Sequence, residues 1–527
     1  MSEAPSKESA RKRAARKKMT VIDGSGTVPE EAANDALQIS LYDAEGRKRP
    51  QADVLLEIGR RHKLFRDPGG DTYAQLMHGG HMEVHAVESK GYREHLAAEY
   101  YGIAAKGCSR NAMVDAIDTL SAQARFAGDL RTVWLRTAQD EDALVIDRGD
   151  PEWSEIHVDA LGWEVKQGGD VAFRRAHRMK PLPLPDETVA PAEGFARLWK
   201  YANVAPADRV LVAAFILGAF KPRGPYPLLM VSGEQGTGKS TFSRLLKRLI
   251  DPSAAPLRQP PKEPRDVLVA AINTWLLCLD NLSWLPPELS DTLCRISTGG
   301  AISERTLFSN LDETLVEVQR PVVMNGIEEL ATRPDLAQRG IHVELEPVQR
   351  VLPEAKLLRD FDADAPAIFG AILSALGTCV ATHEHVKLDP MPRMADFAQW
   401  AAAGMTTLGF KTSDFLAAYR ANQDAGLQQG LDSSPVGRAV VEFMAARTEW
   451  RGTASELLAS LRDLADANDQ RSRQWPKVPR ALSATLTRLG PALRSAGIAR
   501  EYNRTSAARE IRLLRQAAAK QESETNQ

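Results

Sequence analysis

Gly233-Glu-Gln-Gly-Thr-Gly-Lys239-Ser240 is the stretch that decides the fold. It has the GxxxxGK[ST] arrangement, in which glycines let the backbone curl so that successive N–H groups face phosphates and the next helix adds its positive end. Lys239 brings charge to the β/γ-phosphates and Ser240 a hydroxyl for a metal, so ATP and Mg²⁺ are the implied ligands. Their contacts are expected from Gly233, Glu234, Gln235, Gly236, Thr237, Gly238, Lys239, Ser240 and Thr241. An apolar Leu228-Leu-Met-Val-Ser232 precedes the loop and an amphipathic STFSRLLKRLI follows it. Strand, loop and helix in that order indicate the α/β class. Strand-like runs at 275–280, 320–326 and 342–345 extend it to a mainly parallel sheet with helices on both faces.

Downstream residues supply the remaining chemistry. Trp275-Leu-Leu-Cys-Leu-Asp280 ends in an acid at a strand's carboxyl end, where open α/β sheets hold ligands, so Asp280 is the expected second metal ligand beside Ser240. The next residue is Asn281, where a glutamate would activate water, which leaves the general base unassigned. The strand RPVVMNG ends in Asn325, a side chain able to orient water. Arg339 follows the short helical stretch Arg333-Pro-Asp-Leu-Ala-Gln and leads into the last strand. The expected catalytic set is Lys239, Asp280, Asn281, Asn325 and Arg339.

In order and spacing, the phosphate loop, WLLCLDN, STGGAISERTLF, RPVVMNG and DLAQRGIHVEL resemble an AAA+ ATPase of the superfamily 3 helicase type, close to the ATPase halves of phage and plasmid primase-helicases. The resemblance covers roughly 225–350. It implies a P-loop core working as a ring, a hexamer, with Asn325 as sensor and Arg339 as an arginine finger offered to the neighbouring subunit. It also implies a hairpin at about 297–318 reaching into a central channel, with Arg305 as its phosphate contact. Such proteins often carry a primase, but residues 36–185 lack the clustered carboxylates that two metals need, and primase activity is not expected.

Outward from the core, residues 1–35 read as a disordered basic arm and 36–185 as an α+β domain with helices near 91–103 and 111–127. The arm has Arg11, Lys12, Arg13, Arg16, Lys17 and Lys18 but no following apolar region, so it is no signal peptide. Prolines over 179–186 mark a linker. The ATPase domain is placed at 192–350, a helical region at 351–430 and a polar tail at 516–527. Residues 433–515 hold 15 Lys/Arg against 8 Asp/Glu, a local charge of +7 in a chain whose total is −2. Their order of helices followed by IAREYNR and REIRLL as a two-stranded ribbon resembles a winged-helix domain. Helix-turn-helix logic puts Lys477, Arg480, Thr485 and Arg488 toward DNA, with Arg504 and Arg509 on phosphates. His78, His81 and His85 have no cysteine close by and read as ordinary strand histidines, not a zinc site.

Composition narrows the function classes. With 43% hydrophobic and 26% charged residues, and no apolar run expected to approach the ~18 residues of a bilayer span, the chain reads as a soluble protein without a membrane partner. Four scattered cysteines argue for a reducing cytoplasm. The function expected is an ATP-hydrolysing, ring-forming DNA helicase or translocase in replication of a phage or mobile element. The N-terminal domain would recruit a replication partner. The alternative is a nucleotide-switched DNA-binding assembly or regulatory factor with little turnover.

Overall fold

The computed structural model describes residues 39–305, 313–326, 334–349, 351–472, 474–504 and 509–515. At its centre lie four parallel strands, Leu277–Leu282, Val322–Gly326, Leu228–Ser232 and Gly340–Glu344, hydrogen-bonded in that order. Leu228–Ser232 is flanked on both sides, which is why Leu228, Leu229, Met230 and Val231 are all apolar and at most 3% exposed. Alternate residues serve opposite faces. Leu229, Val231, Val323 and Ile341 pack on the helices Arg209–Ala219, Lys239–Ile250 and Glu354–Thr382, whereas Leu228, Met230, Val322 and Met324 meet Pro264–Ile272 and Pro287–Thr298. Beyond Leu277–Leu282 the sheet continues only as a bridge: Arg258 accepts from Asp280 N–H and donates its own N–H to Cys278, each at 2.9 Å.

The strand boundaries shift by a residue or two from the sequence reading, and two of the shifts bear on the site. The strand holding Asp280 runs past it to Leu282, but its ladder with Val322–Gly326 is irregular between Leu279 and Leu282, so Asp280 stands where regular pairing stops. The final strand starts at Gly340 and not His342, because Arg339 C=O already accepts the Leu228 N–H at 2.9 Å.

The 36–185 region does not close around a single core. Residues from Ile39 to Leu120 bury Leu55, Ile58, Tyr92, Leu96 and Ile117 among themselves, between the helices Gln51–Arg60, Lys90–Ala104 and Arg110–Ala127 and a four-stranded sheet. An antiparallel meander over Thr137–Gln167 instead turns Leu144, Ile146, Ile156 and Val158 into the core of the central sheet. The proline-rich 179–186 has neither helix nor strand, yet Leu182 is 1% exposed and Asp186 N–H bonds to Pro366 C=O at 3.0 Å. It is a packed strap.

A buried ion network ties meander to core. Arg136 Nη2 meets Asp251 Oδ1 at 3.0 Å while Lys247 Nζ meets Asp251 Oδ2 at 2.6 Å, and the N–H groups of Trp275 and Leu276 also donate to Oδ2. Burial alone would push the Asp251 carboxyl up, but Lys247 and Arg136 reverse that and hold it well below the usual carboxylate range. Because the folded pKa is depressed, this stabilisation is complete above the ordinary aspartate pKa and is lost only as pH falls below it. Asp251→Ala strands two buried cations and is expected to cost about 3–5 kcal/mol. Urea unfolding near neutral pH checks this; an unchanged midpoint would mean that the network contributes nothing.

Glu354–Thr382 is a 29-residue helix whose apolar window has the length and composition of a bilayer span, contrary to the reading that no stretch comes near one. Two-thirds of that window is buried, with Ile368, Phe369, Ile372 and Leu376 at 0% exposure, so it is a core helix of this fold.

The C-terminal unit buries Val440, Leu457, Leu486, Leu493 and Ile511 in a core of its own, joined by Leu431 from the preceding helix Thr412–Asp432. Ser434 caps the helix Pro435–Ala445, and Thr453 with Glu456 forms a capping box at Ala454–Leu464. The ribbon has a third strand, Glu449–Thr453, paired to Arg509–Arg515, which in turn pairs with Ile498–Arg504. EWRGT shows no apolar alternation, which hid this strand in the sequence. The arm 1–35 and the tail 516–527 lie outside the described residues.

Candidate active site

The phosphate loop sits at the carboxyl end of Leu228–Ser232 and opens the helix Lys239–Ile250. Gly233, Gly236 and Gly238 have φ of 138°, 87° and 84°, a region side chains rarely adopt. At Gly233 space is also decisive, since a Cβ would stand 2.9 Å from Leu345 C=O and from Thr237 Oγ1. The helix starts without a side-chain cap, so its first-turn N–H groups face the loop. Glu234, Gln235 and Gly236 form an exposed rim, while Thr237 is buried and hydrogen-bonds to Glu234 C=O at 3.0 Å. Lys239 Nζ rests on the carbonyls of Gly233 (2.6 Å) and Glu234 (2.7 Å). A curled, uncapped cradle with a lysine on its rim fits a polyphosphate.

Ser240 Oγ donates to Asp280 Oδ1 at 2.8 Å, so the two metal-ligand candidates, 40 residues apart, meet directly. A hydroxyl and a carboxylate side by side are oxygen donors of the kind Mg²⁺ takes. Thr241, the next residue of the helix, is half-buried.

Asn281 and Asn325 are linked to this pair in an unexpected way. Asn325 is 1% exposed; its Oδ1 accepts the Asn281 N–H at 2.8 Å and its Nδ2 donates to Ser243 Oγ at 3.0 Å. Ser243 in turn donates to Lys239 C=O at 3.0 Å. Asn325 therefore pins the phosphate-loop helix to the strand carrying Asp280. Asn281 has φ 59° and an exposed side chain. That left-handed conformation favours asparagine over glutamate, so backbone geometry accounts for the residue at this place. Ser243 was missed in the sequence, although its place one turn after Lys239 was a usable signal. Asn203, whose Nδ2 reaches Thr237 C=O at 3.4 Å, gave none.

Arg339 does not join the cluster. It lies beside Leu228, at the opposite end of the central strand from the loop, and five residues of strand put about 15 Å between them.

The other basic candidates are placed as follows. Lys477, Arg480 and Arg488 are exposed at the start and along one side of the helix Pro479–Ser495, with Arg488 donating to Thr485 Oγ1 at 3.3 Å. Leu482, Leu486, Leu489 and Leu493 occupy the buried side. Arg504 and Arg509 are paired across the last two strands. Arg305 ends the strand Ala301–Arg305, paired antiparallel with Glu313–Glu317; the tip of this hairpin lies outside the described residues.

Residues 195–429 match the family model of the actinomycete integrative conjugative element replication protein, and residues 436–525 match the AICE RepA C-terminal domain. No curated protein matches the sequence. Among solved structures, the apo C-terminal region of NrS-1 aligns at 12% identity and TM-score 0.34, over 89% of this chain and 98% of that one. The SCCmec type IV Cch active helicase aligns at 12% identity and TM-score 0.44, over 86% and 92%. The two matched segments cover well over half of the sequence, and on them the chain belongs to the AICE RepA family of replication proteins of actinomycete integrative conjugative elements.

Proposed function

We propose that this chain is a Mg²⁺-dependent AAA+ ATPase of the superfamily 3 type, working as a hexameric ring that moves on or unwinds DNA when its element replicates in the cytoplasm. The observation that carries the reading is the 2.8 Å contact between Ser240 and Asp280 beside the glycine cradle. When bound there, Mg²⁺ neutralises charge on the terminal phosphates of ATP. With nucleotide bound, Lys239 would exchange its loop carbonyls for phosphate oxygens, and Ser240 and Asp280 would hold the metal. Asn325 keeps their two elements in register. Steady-state phosphate release with and without single-stranded DNA tests this: turnover that rises with DNA is the expected result.

A second reading, a nucleotide-switched DNA-binding assembly factor, draws on Asn281, since no carboxylate follows Asp280. Negligible release together with a DNA affinity that differs between nucleotide states would favour it.

In the same reading the C-terminal unit is a winged helix whose Pro479–Ser495 helix enters the major groove. The helix has its basic side exposed and its apolar side buried, and residues 433–515 together carry a +7 charge. In the full chain, Lys477→Ala with Arg480→Ala is expected to weaken duplex binding and to flatten the log-affinity against log-salt slope by about one per lost phosphate contact. An unaltered slope would move the contact elsewhere. The described N-terminal residues then serve as the docking unit for a replication partner.

A further inference from the structure

We propose that His62, His95 and Glu99 form a zinc-class metal site in the N-terminal unit, distinct from the Mg²⁺ site at Ser240 and Asp280. His62 lies just past the helix Gln51–Arg60, and His95 and Glu99 are one turn apart on Lys90–Ala104, so both face it together. One ligand atom from each lies within 4.8 Å of the other two. Glu99 Oε1 is 3.6 Å from His62 Nε2 and 2.8 Å from His95 Nε2. Zinc bonds of 2.0–2.2 Å set tetrahedral ligands about 3.4 Å apart, so the His95–Glu99 contact has to open by roughly half an ångström while the His62–Glu99 separation already fits. Two imidazoles on one such ion hold their ring centres about 5 Å apart; those of His62 and His95 are 5.6 Å apart.

The surroundings orient the donors. His62 Nδ1 lies 2.8 Å from the hydroxyl of Tyr92, a residue at 0% exposure. Either partner can donate in this contact; in the tautomer that a bound ion selects, Nδ1–H donates to the Tyr92 oxygen and the lone pair on Nε2 faces Glu99. The His62 and His95 side chains are 7% and 12% exposed while Glu99 is 36% exposed, so the cluster opens toward water on its carboxylate side. His78, exposed on its strand, stacks edge-on 5.3 Å from His95 beside that opening. Two imidazoles with one carboxylate suit zinc and its neighbours; Mg²⁺ and Ca²⁺ take all-oxygen sets. A bound ion would staple the end of one helix to the middle of another.

The test uses the untagged full chain, stripped with chelator and titrated with Co²⁺ and then Zn²⁺ in the absence of nucleotide. Expected are visible d–d bands saturating at one Co²⁺ per chain, their loss on adding Zn²⁺, and a melting temperature raised by Zn²⁺. Glu99→Gln, which keeps a hydrogen-bonding group, should abolish the bands. Tyr92→Phe should weaken binding about 10–100-fold through the lost orientation of His62. Asp280→Ala, which removes a carboxylate from the Mg²⁺ site, should still bind one Co²⁺ with the same bands, which separates this site from the nucleotide site. Wild-type protein with no bands and no Zn²⁺-dependent melting overturns the proposal and leaves a hydrogen-bonded histidine cluster. Bands that survive in a folded His62→Ala/His95→Ala variant overturn it as well.

Discussion

Lys239→Ala is expected to abolish ATP turnover while leaving the fold and the DNA contacts in place. The lysine is half-exposed and its two partners are loop carbonyls that water can satisfy, so its removal should change stability by no more than about 0.5 kcal/mol. Its effect on chemistry is far larger. A single preorganised donor aimed at developing charge contributes on the order of 10²–10³ in rate, and this one is a full cation at the loop that would cradle the phosphates. Phosphate release, far-ultraviolet circular dichroism and thermal melting on the same preparation check both halves. Normal turnover in a folded variant would remove the ATPase assignment altogether.

The difference between what sequence alone conveys and what it hides follows the range of the interactions. The phosphate loop was legible because its constraint is local: three glycines at positive φ and a Lys-Ser pair lie within eight residues. The strand carrying Asp280 was legible as an apolar run, yet the irregularity that interrupts its pairing between Leu279 and Leu282 was not. For that reason Asn281 read as a missing glutamate, when its φ of 59° gives a backbone reason for asparagine. Asn325 was found, but its pairing with Ser243 and the Asn281 N–H was not, because hydrogen bonds from one strand to a helix and to a neighbouring strand leave no pattern along the chain. Arg136 and Asp251 are 115 residues apart in sequence, so nothing local to either announces a buried pair. The same holds for His62 and His95. The reading attended to His78, His81 and His85, which share a short stretch, while the convergent side-chain atoms came from the turn after one helix and from the middle of another.

Arg339→Ala is expected to bind nucleotide almost normally and to hydrolyse it slowly. In its own subunit Arg339 stands about 15 Å of strand away from the phosphate loop, beyond the reach of a side chain, so any contact with ATP must be made across a subunit boundary. An arginine supplied in that way stabilises charge that develops in the transition state, which is worth on the order of 10³–10⁵ in rate where such fingers operate. An effect confined to the transition state lowers turnover without a matching loss of ground-state affinity. Fluorescent-nucleotide binding and phosphate release should therefore part company in this variant. Mixing it with Lys239→Ala sharpens the test. Neither variant is active alone, but in a mixed ring some interfaces pair the sound loop of an Arg339→Ala subunit with the sound finger of a Lys239→Ala subunit, and activity should return at those interfaces only. Co-assembly without recovery would exclude a shared site. So would wild-type turnover per subunit that stays constant at concentrations where the protein is shown to be monomeric, because a lone subunit has no neighbour to provide the arginine.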